Sequence, residues 1–430
     1  MRVLVLGGYG LIGSAISRAL IGQAHKVTGL ARSAKKGKAM IPAAQWIGAD
    51  ISTLTQPEHW HPYLGGIDVV VNASGAMQNG LLDNLKALQQ DAIIALIKAC
   101  EQKGVSRFIQ ISAPGAALNS ETQFYKTKAA ADAALKTSAL SWCIFRPALV
   151  ISPQAYGGTS LVRMLAAFPC IQPIMLGQVP VQTVFIDDVA RAVALAIKRD
   201  IWGLDVDLVE QGSQSLEELV LKLRQWLGFG PARAVWNFPI WAGKVTAFFA
   251  DMAGWLGWRP ALRTTALKVL AGGVTGDAKP WAVLSKQPNR SFEMTLEAMP
   301  STVQERIYAR AMLVFPLLLL TLAGFWLASG IIGLTQHSAA VSKLDGALSP
   351  RLANPFVFLG SIADILIGLA LLFRKFARRA CFASIGLAGA YLGASAWFTP
   401  YLWLDPLGPM VKVFPAIALA FIVAALMEPR

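Results

Sequence analysis

Met1-Arg-Val-Leu-Val-Leu6-Gly7-Gly8-Tyr9-Gly10-Leu11-Ile12-Gly13-Ser-Ala-Ile-Ser-Arg-Ala-Leu-Ile21 is the stretch that decides the fold. The apolar run Val3–Leu6 reads as a buried parallel strand, and the amphipathic run Leu11–Ile21 as the helix that follows it. Gly7, Gly10 and Gly13 fill the turn between them. In such a turn one glycine permits the sharp bend, one lets backbone approach a pyrophosphate, and one lets helix and strand pack closely. The unpaired N–H groups of the helix start then face the phosphates. The turn and helix start, Gly7 and Tyr9 to Gly13, are therefore expected to bind a dinucleotide.

Outward from this turn, apolar runs and helical patterns alternate. Lys26–Leu30, Ile67–Asn72, Arg107–Ile111 and Trp142–Phe145 read as strands, with Leu81–Glu101 and Gln123–Lys136 as helices between them. This is the rhythm of an α/β doubly wound parallel sheet, a Rossmann domain over residues 1–150. Val184–Ile186 and Asp205–Val209 read as further strands and Leu216–Leu227 as an amphipathic helix, giving a small substrate lobe over 151–230. The stretch 231–300 opens with a change of texture. Trp236, Phe238, Trp241, Phe248, Phe249, Trp255 and Trp258 are interspersed with Arg233, Lys244 and Arg259. Such a mixture suits a helix at the headgroup level of a bilayer, and equally an aromatic-rich lid on the substrate lobe.

At 430 residues with 55% hydrophobic and 15% charged residues, the chain is too apolar for a wholly soluble protein. The excess lies in 301–430. Four segments, Ala311–Leu334, Leu352–Phe373, Ala380–Leu404 and Leu407–Leu426, are candidate membrane spans of an all-α domain. Arg306 and Arg310 precede the first, Arg374, Lys375, Arg378 and Arg379 fill the second connection, and Arg430 ends the chain, whereas the other side holds Lys343, Arg351 and Lys412. The positive-inside rule then places both termini in the cytoplasm, as a multi-pass protein of the cytoplasmic (inner) membrane. Met1 leads straight into a strand, with no signal-peptide regions in sequence, which agrees. The net charge of +14 comes with no nucleic-acid-binding motif, so nucleic acid is not an expected partner. Cys100, Cys143, Cys170 and Cys381 are scattered and read as reduced thiols, with no metal site.

After the second strand comes Gly29-Leu-Ala-Arg32-Ser-Ala-Lys35-Lys36. A carboxylate here would bond the ribose 2′-OH of NAD, whereas Arg accommodates the 2′-phosphate of NADP, so Arg32 favours NADP(H) over NAD(H). Further along lie Gly48-Ala-Asp50-Ile51, Val71-Asn-Ala73-Ser74-Gly75, Ile111-Ser112-Ala, Arg146-Pro147 and Val184-Phe-Ile-Asp-Asp-Val-Ala190. With these motifs in order, the first 230 residues resemble the extended, atypical short-chain dehydrogenase/reductase superfamily, near its complex I accessory-subunit-like branch. The resemblance implies that Asp50 and Ile51 flank the adenine and that Ala73, Ser74 and Gly75 line the cofactor near its ribose.

The superfamily's catalytic Tyr stands four residues before its Lys, on the same helix face. The Lys lowers the Tyr pKa and holds the nicotinamide ribose, and the phenol exchanges a proton with the substrate oxygen. In Gln123-Phe124-Tyr125-Lys126-Thr127-Lys128 the residue four before Lys128 is Phe124. In one reading Phe124 fills the catalytic slot, and Lys128 survives as a ribose ligand. In the other, Tyr125 and Lys128 pair at i, i+3, about 60° apart around the helix. Ser112 matches a site where a hydroxyl helps bind the substrate oxygen, and also reads as a strand-end polar cap.

Asp364, alone among the charges deep in the apolar segments, reads either as functional or as hydrogen-bonded glue between helices. The four-span tail resembles the DoxX-like membrane family. Taken together, the chain is expected to be a membrane-tethered NAD(P)H-binding oxidoreductase-like protein acting on a lipophilic substrate such as a quinone, isoprenoid or lipid precursor. The alternative is a non-catalytic nucleotide-binding module that stabilises or regulates a membrane complex, with a membrane-protein partner or a homo-oligomer.

Overall fold

The structure is a computed structural model that describes residues 1–80, 84–345 and 347–427. It divides into two compact units, Met1–Asp251 with Pro260–Arg306, and Met252–Arg259 with Ile307–Arg430.

The first unit is built on a seven-stranded sheet in which every pairing is parallel. Its strands are β1 (Arg2–Leu6), β2 (Lys26–Ala31), β3 (Gln45–Gly48), β4 (Val69–Asn72), β5 (Arg107–Ile111), β6 (Ser141–Pro147) and Leu204–Leu208. Their order is β3-β2-β1-β4-β5-β6 with Leu204–Leu208 at the far edge. The order reverses between β1 and β4, and ligands of such sheets bind in the crevice at the carboxyl ends of the strands there.

The sheet is covered on both faces, which explains the unbroken apolar runs. Val3 and Val5 pack with Ile16 and Leu20 of helix α1 (Leu11–Gly22) and with Val189 and Val193 of the helix Ile186–Arg199. Leu4 and Leu6 point the other way, among Ile93 and Leu96 of α3 (Ala92–Lys103), which follows α2 (Ala34–Met40), and Ala131 and Leu135 of α4 (Gln123–Lys136). Each fully buried Val or Leu contributes about 1.5–3 kcal/mol, so these four residues alone hold β1 firmly at the sheet centre.

Before α3 (Ala92–Lys103) the chain forms a π-helical segment, Lys86–Asp91. The expected helix from Leu81 thus has a different start, and Leu81 itself lies outside the described residues. Where a strand was expected over Val184–Ile186, the strand is Thr183–Phe185 and Ile186 already opens a helix. Asp187 and Asp188 stabilise that helix's positive end.

Among the described residues, three helices are long and apolar enough to cross a membrane, Val303–Thr335, Pro350–Leu372 and Arg374–Phe398, all lying wholly or mostly in the second unit. Large apolar residues, aliphatic and aromatic, point outward from them, with Leu317, Leu359, Leu366 and Trp397 each at least 60% exposed. The third ends at Phe398, ahead of Pro400, instead of running to Leu404 as expected. The fourth apolar helix is shorter than expected. It begins only at Val413, after a turn that includes Gly408 at φ +56°, and has 14 residues. At 1.5 Å per residue it spans about 21 Å, short of a hydrocarbon core of about 30 Å.

Small residues let the first two long helices approach. A Cβ on Gly330 would lie 2.4 Å from the Ser361 carbonyl, and one on Gly368 would lie 2.7 Å from Leu327 Cγ. Asp364 is buried between the three helices. It accepts hydrogen bonds from Ser329 Oγ at 2.6 Å and Tyr391 Oη at 2.8 Å, so its carboxyl ties the bundle together.

Candidate nucleotide-binding and active site

The glycine turn sits at the end of β1, in the crevice at the strand-order reversal. Gly7 has φ +68°, and a Cβ there would lie 3.0 Å from the Ala73 carbonyl oxygen. A Cβ on Gly13 would fall 2.2 Å from the Gly7 carbonyl oxygen, so α1 packs on the turn at a distance only glycine permits. Gly10 N–H donates to Gly7 O at 2.8 Å, and Gly10 is the exposed N-cap of α1. No side chain caps this helix and no acid stands in its first turn, so the amides of Leu11, Ile12 and Gly13 offer an uncompensated positive end to an anion. Tyr9 leans on Trp46, ring centroids 6.0 Å apart. A bare turn with the helix dipole behind it fits a pyrophosphate.

The neighbouring strands deliver the other expected cofactor residues to the same edge of the sheet. Arg32 is exposed directly after β2, and Ser33 caps α2 by accepting from Lys36 N–H at 3.3 Å. Asp50, beyond β3, caps the short helix Ile51–Thr53 by accepting from Ser52 N–H at 3.0 Å and Ser52 Oγ at 2.8 Å, and Ile51 is buried. After β4, Asn72 accepts from Ser74 N–H at 3.0 Å and Ser74 Oγ at 2.6 Å, fixing the Ala73–Gly75 turn.

Gly75 faces Gln89 and Lys128. A Cβ on it would stand 3.3 Å from Gln89 Nε2 and 3.8 Å from Lys128 Nζ. Gln89, buried in the π-helical segment, donates to Ala76 O at 2.5 Å and accepts from Thr127 Oγ1 at 3.0 Å, tying this turn to α4.

Lys128 is buried and donates through Nζ to the Ile111 carbonyl at 2.9 Å, with Nζ also 5.6 Å from the centroid of the Phe124 ring. Phe124 thus lies on the Lys128 side of α4. Tyr125 points elsewhere: a Cβ on Gly115 would lie 3.7 Å from its hydroxyl oxygen, and burial raises its pKa, keeping it neutral. Burial pulls the Lys128 ammonium down to about 8, against the opposing pull of the Asp132 carboxylate.

Ser112, at the end of β5, donates to Asp132 Oδ2 at 2.6 Å, so its proton is committed and its lone pairs remain. Asp132 is buried one helical turn past Lys128 and also meets Arg146 at 2.9 Å. Arg146 continues to Asp205 at 2.7 Å, and Asp205 to Lys136 at 2.6 Å. Burial raises the Asp132 pKa, while the Ser112 hydrogen bond and Arg146 oppose the rise.

Asp132 and Gln89 were not singled out in the sequence. The i, i+4 spacing from Lys128 to Asp132 was the available signal. Gln89 gave none, because its position depends on the π-helical register.

The depressed Lys128 pKa sets a pH dependence of stability. Between about pH 8 and the ordinary lysine range the unfolded chain holds a proton that the folded chain has released. This group's contribution to stability therefore rises with pH across that window. Thermal unfolding of nucleotide-free protein in detergent is expected to show wild type gaining on Lys128→Met between pH 7.5 and pH 9.5, and a constant difference would contradict it.

The fold and this crevice are those of an NAD(P)-binding Rossmann domain, and the chain continues into a DoxX-like region. Residues 7–166 match the NAD(P)H-binding family and residues 323–421 the DoxX-like family.

Photosystem II assembly factor Ycf39 of Synechocystis sp. is 35% identical over 114 residues, 26% of this chain and 33% of that protein. An uncharacterized chloroplast protein of Arabidopsis thaliana is 29% identical over 113 residues, 26% of this chain and 36% of that protein. The chain thus spans about a third of the length of these curated relatives.

Among solved structures, the Bordetella bronchiseptica enzyme WbmG, in complex with NAD and UDP, superposes with TM-score 0.52 at 16% identity, covering 72% of this chain and 96% of that one. A nucleoside-diphosphate-sugar epimerase of Staphylococcus aureus gives TM-score 0.53 at 17% identity, with 69% and 100% covered. These show a shared fold.

Proposed function

We propose that the protein is a membrane-tethered, NADP(H)-binding oxidoreductase-like protein whose substrate partitions into the bilayer, as a quinone, isoprenoid or lipid precursor does. The supporting observation is a nucleotide crevice that retains Lys128 and Ser112, in a chain whose other unit carries three helices long and apolar enough to cross a membrane. The α1 amides and glycine turn would take the pyrophosphate, Arg32 the 2′-phosphate, Asp50 and Ile51 the adenine, and Ala73–Gly75 with Lys128 the nicotinamide-side ribose. A bound nicotinamide supplies or accepts a hydride. Asp132 holds the Ser112 proton, so Ser112 receives a hydrogen bond from the ligand. The test is incubation of the purified full chain with NADPH and a membrane-lipid extract, read by mass spectrometry. A lipid product two hydrogens heavier supports the reading, and an unchanged extract opposes it.

A second reading rests on Phe124. Its ring takes the side of α4 that faces Lys128, where it offers no hydroxyl. A Rossmann domain without its proton donor suits a nucleotide-binding module that stabilises or regulates a membrane complex, and one curated relative is named an assembly factor.

The basic flanks support a topology with the nucleotide unit, the Arg374–Arg379 segment and the chain end in the cytoplasm, the 14-residue helix making the last crossing where the bilayer thins to match its length. Of these flanks, Arg430 lies outside the described residues. Reporter fusions after Arg378 and at the chain end are expected to read cytoplasmic, and one within Ser338–Ser349 the opposite side. A periplasmic signal after Arg378 would overturn this orientation.

A further inference from the structure

Helix Ile240–Trp255 carries its apolar face outward. Gly243, Ala247 and Gly254, on one stripe, are its buried residues, and a Cβ on Gly243 would meet Met175 Sδ at 2.6 Å. Trp241, Val245, Phe248 and Met252 are exposed, Trp241 by 66% and Phe248 by 60%. At 100° per residue these four fall within about 60° of one another, and about 150° from the Gly243–Ala247 stripe. The small residues thus touch protein while the large apolar ones face out, the reverse of a helix that borders water.

The helix is held at both ends, so this exposure belongs to a fixed element. Ahead of it, Ala234–Asn237 pairs in parallel with Ile171–Ile174. Near its far end, Asp251 accepts from Gln78 Nε2 at 2.7 Å and from Arg263 Nε at 2.9 Å. Gln78 stands three residues beyond Gly75, in the segment that follows β4.

Two observations name the occupant of the outward face. The chain runs from this helix to helices long and apolar enough to cross a membrane. Between Pro231 and Pro260 the only acid is Asp251, turned inward onto Arg263, while Arg233, Lys244 and Arg259 are exposed. A basic, tryptophan-bearing apolar face matches an anionic lipid surface.

We propose that helix Ile240–Trp255 lies in the headgroup layer of an anionic bilayer, with Trp241, Val245, Phe248 and Met252 sunk to the acyl boundary. This goes beyond the proposed reaction and holds whether or not the protein catalyses one. Through Gln78 it fixes the segment after β4, part of the nucleotide crevice, close to the lipid surface, where a bilayer-dissolved substrate is concentrated.

The test uses the full chain in vesicles of phosphatidylcholine and phosphatidylglycerol. Cys170, the exposed native thiol, is replaced by Ser, and one new Cys at Trp241, Phe248 or Thr246 carries a fluorophore. Thr246 is exposed about 160° around the helix from Phe248 and serves as the control.

The labels in Trp241→Cys and Phe248→Cys are expected to be quenched by acyl-chain nitroxide lipids several-fold more than that in Thr246→Cys, and to be shielded from aqueous iodide. The acyl quenching is expected to fall about two-fold or more in phosphatidylcholine alone. Equal iodide access at all three positions would overturn the proposal by placing this face in water. Shielding from both quenchers would overturn it in favour of a protein partner, and label self-quenching would make that partner a second copy. Quenching unchanged in phosphatidylcholine alone would overturn the requirement for anionic lipid. None of these readouts depends on nucleotide binding or turnover.

Discussion

Gly13→Ala is expected to weaken NADPH binding at least about 100-fold, a loss of about 2.7 kcal/mol. The added methyl would sit 2.2 Å from the Gly7 carbonyl oxygen and 2.9 Å from its carbon, both backbone atoms with nowhere to retreat. Relief requires α1 to move off the turn, and the amides of Leu11 to Gly13 move with it. Stability is expected to fall by about 1–3 kcal/mol for the same reason, as for other overpacked sites.

Gly22→Ala is the matched control. It lies in the same helix, a Cβ there meets nothing within 4 Å, and alanine favours the helix by roughly 0.5–1 kcal/mol. Calorimetric titration of the two variants separates the close approach from a general effect of removing glycine. Retained affinity in Gly13→Ala with an unshifted melting temperature would show that the turn does not hold the nucleotide.

Phe124→Tyr is expected to raise turnover of a lipophilic substrate by about 10²-fold or more, the usual contribution of a positioned proton donor. The Phe124 ring already lies 5.6 Å from Lys128 Nζ, so a para hydroxyl extends from the face of α4 that carries the buried ammonium. Tyr125→Phe is expected to change turnover little, because its phenol stands about 100° around the helix and beside Gly115. Lys128→Ala should weaken nucleotide binding in either background. Collapse of turnover in Tyr125→Phe, with nucleotide affinity intact, would make Tyr125 the acid. Absence of turnover in both wild type and Phe124→Tyr, with NADPH bound, would favour the non-catalytic module.

The sheet was legible because parallel strands covered on both faces must be apolar throughout. Val3–Leu6 and Val69–Val71 are fully buried, and the strand Arg107–Ile111 and helix Gln123–Lys136 have the bounds their sequence patterns indicate. β3 was not legible: Gln45–Gly48 is a four-residue edge strand, half exposed, with no hydrophobic period to reveal it. In the second unit, apolar residues remain frequent from Leu402 to Val413 despite Asp405 and Lys412, so hydropathy alone extended the third and fourth helices across Pro400 and Gly408, where the backbone breaks.

At the site, the glycine turn, Ser112 and Lys128 carried local signals. The Ser112–Asp132–Arg146 chain did not, because it depends on β5, α4 and β6 meeting in space.

The most direct test of the account is calorimetric titration of the full-length protein in detergent with NADPH and with NADH, for wild type and Arg32→Asp. Wild type is expected to bind NADPH about tenfold or more tightly than NADH, worth about 1.4 kcal/mol, because a guanidinium pairs with the 2′-phosphate and no carboxylate stands directly after β2. Arg32→Asp should erase or invert that preference, through repulsion of the phosphate and a new acceptor for the 2′-hydroxyl. Equal affinity of wild type for both nucleotides, or no binding of either, would contradict it.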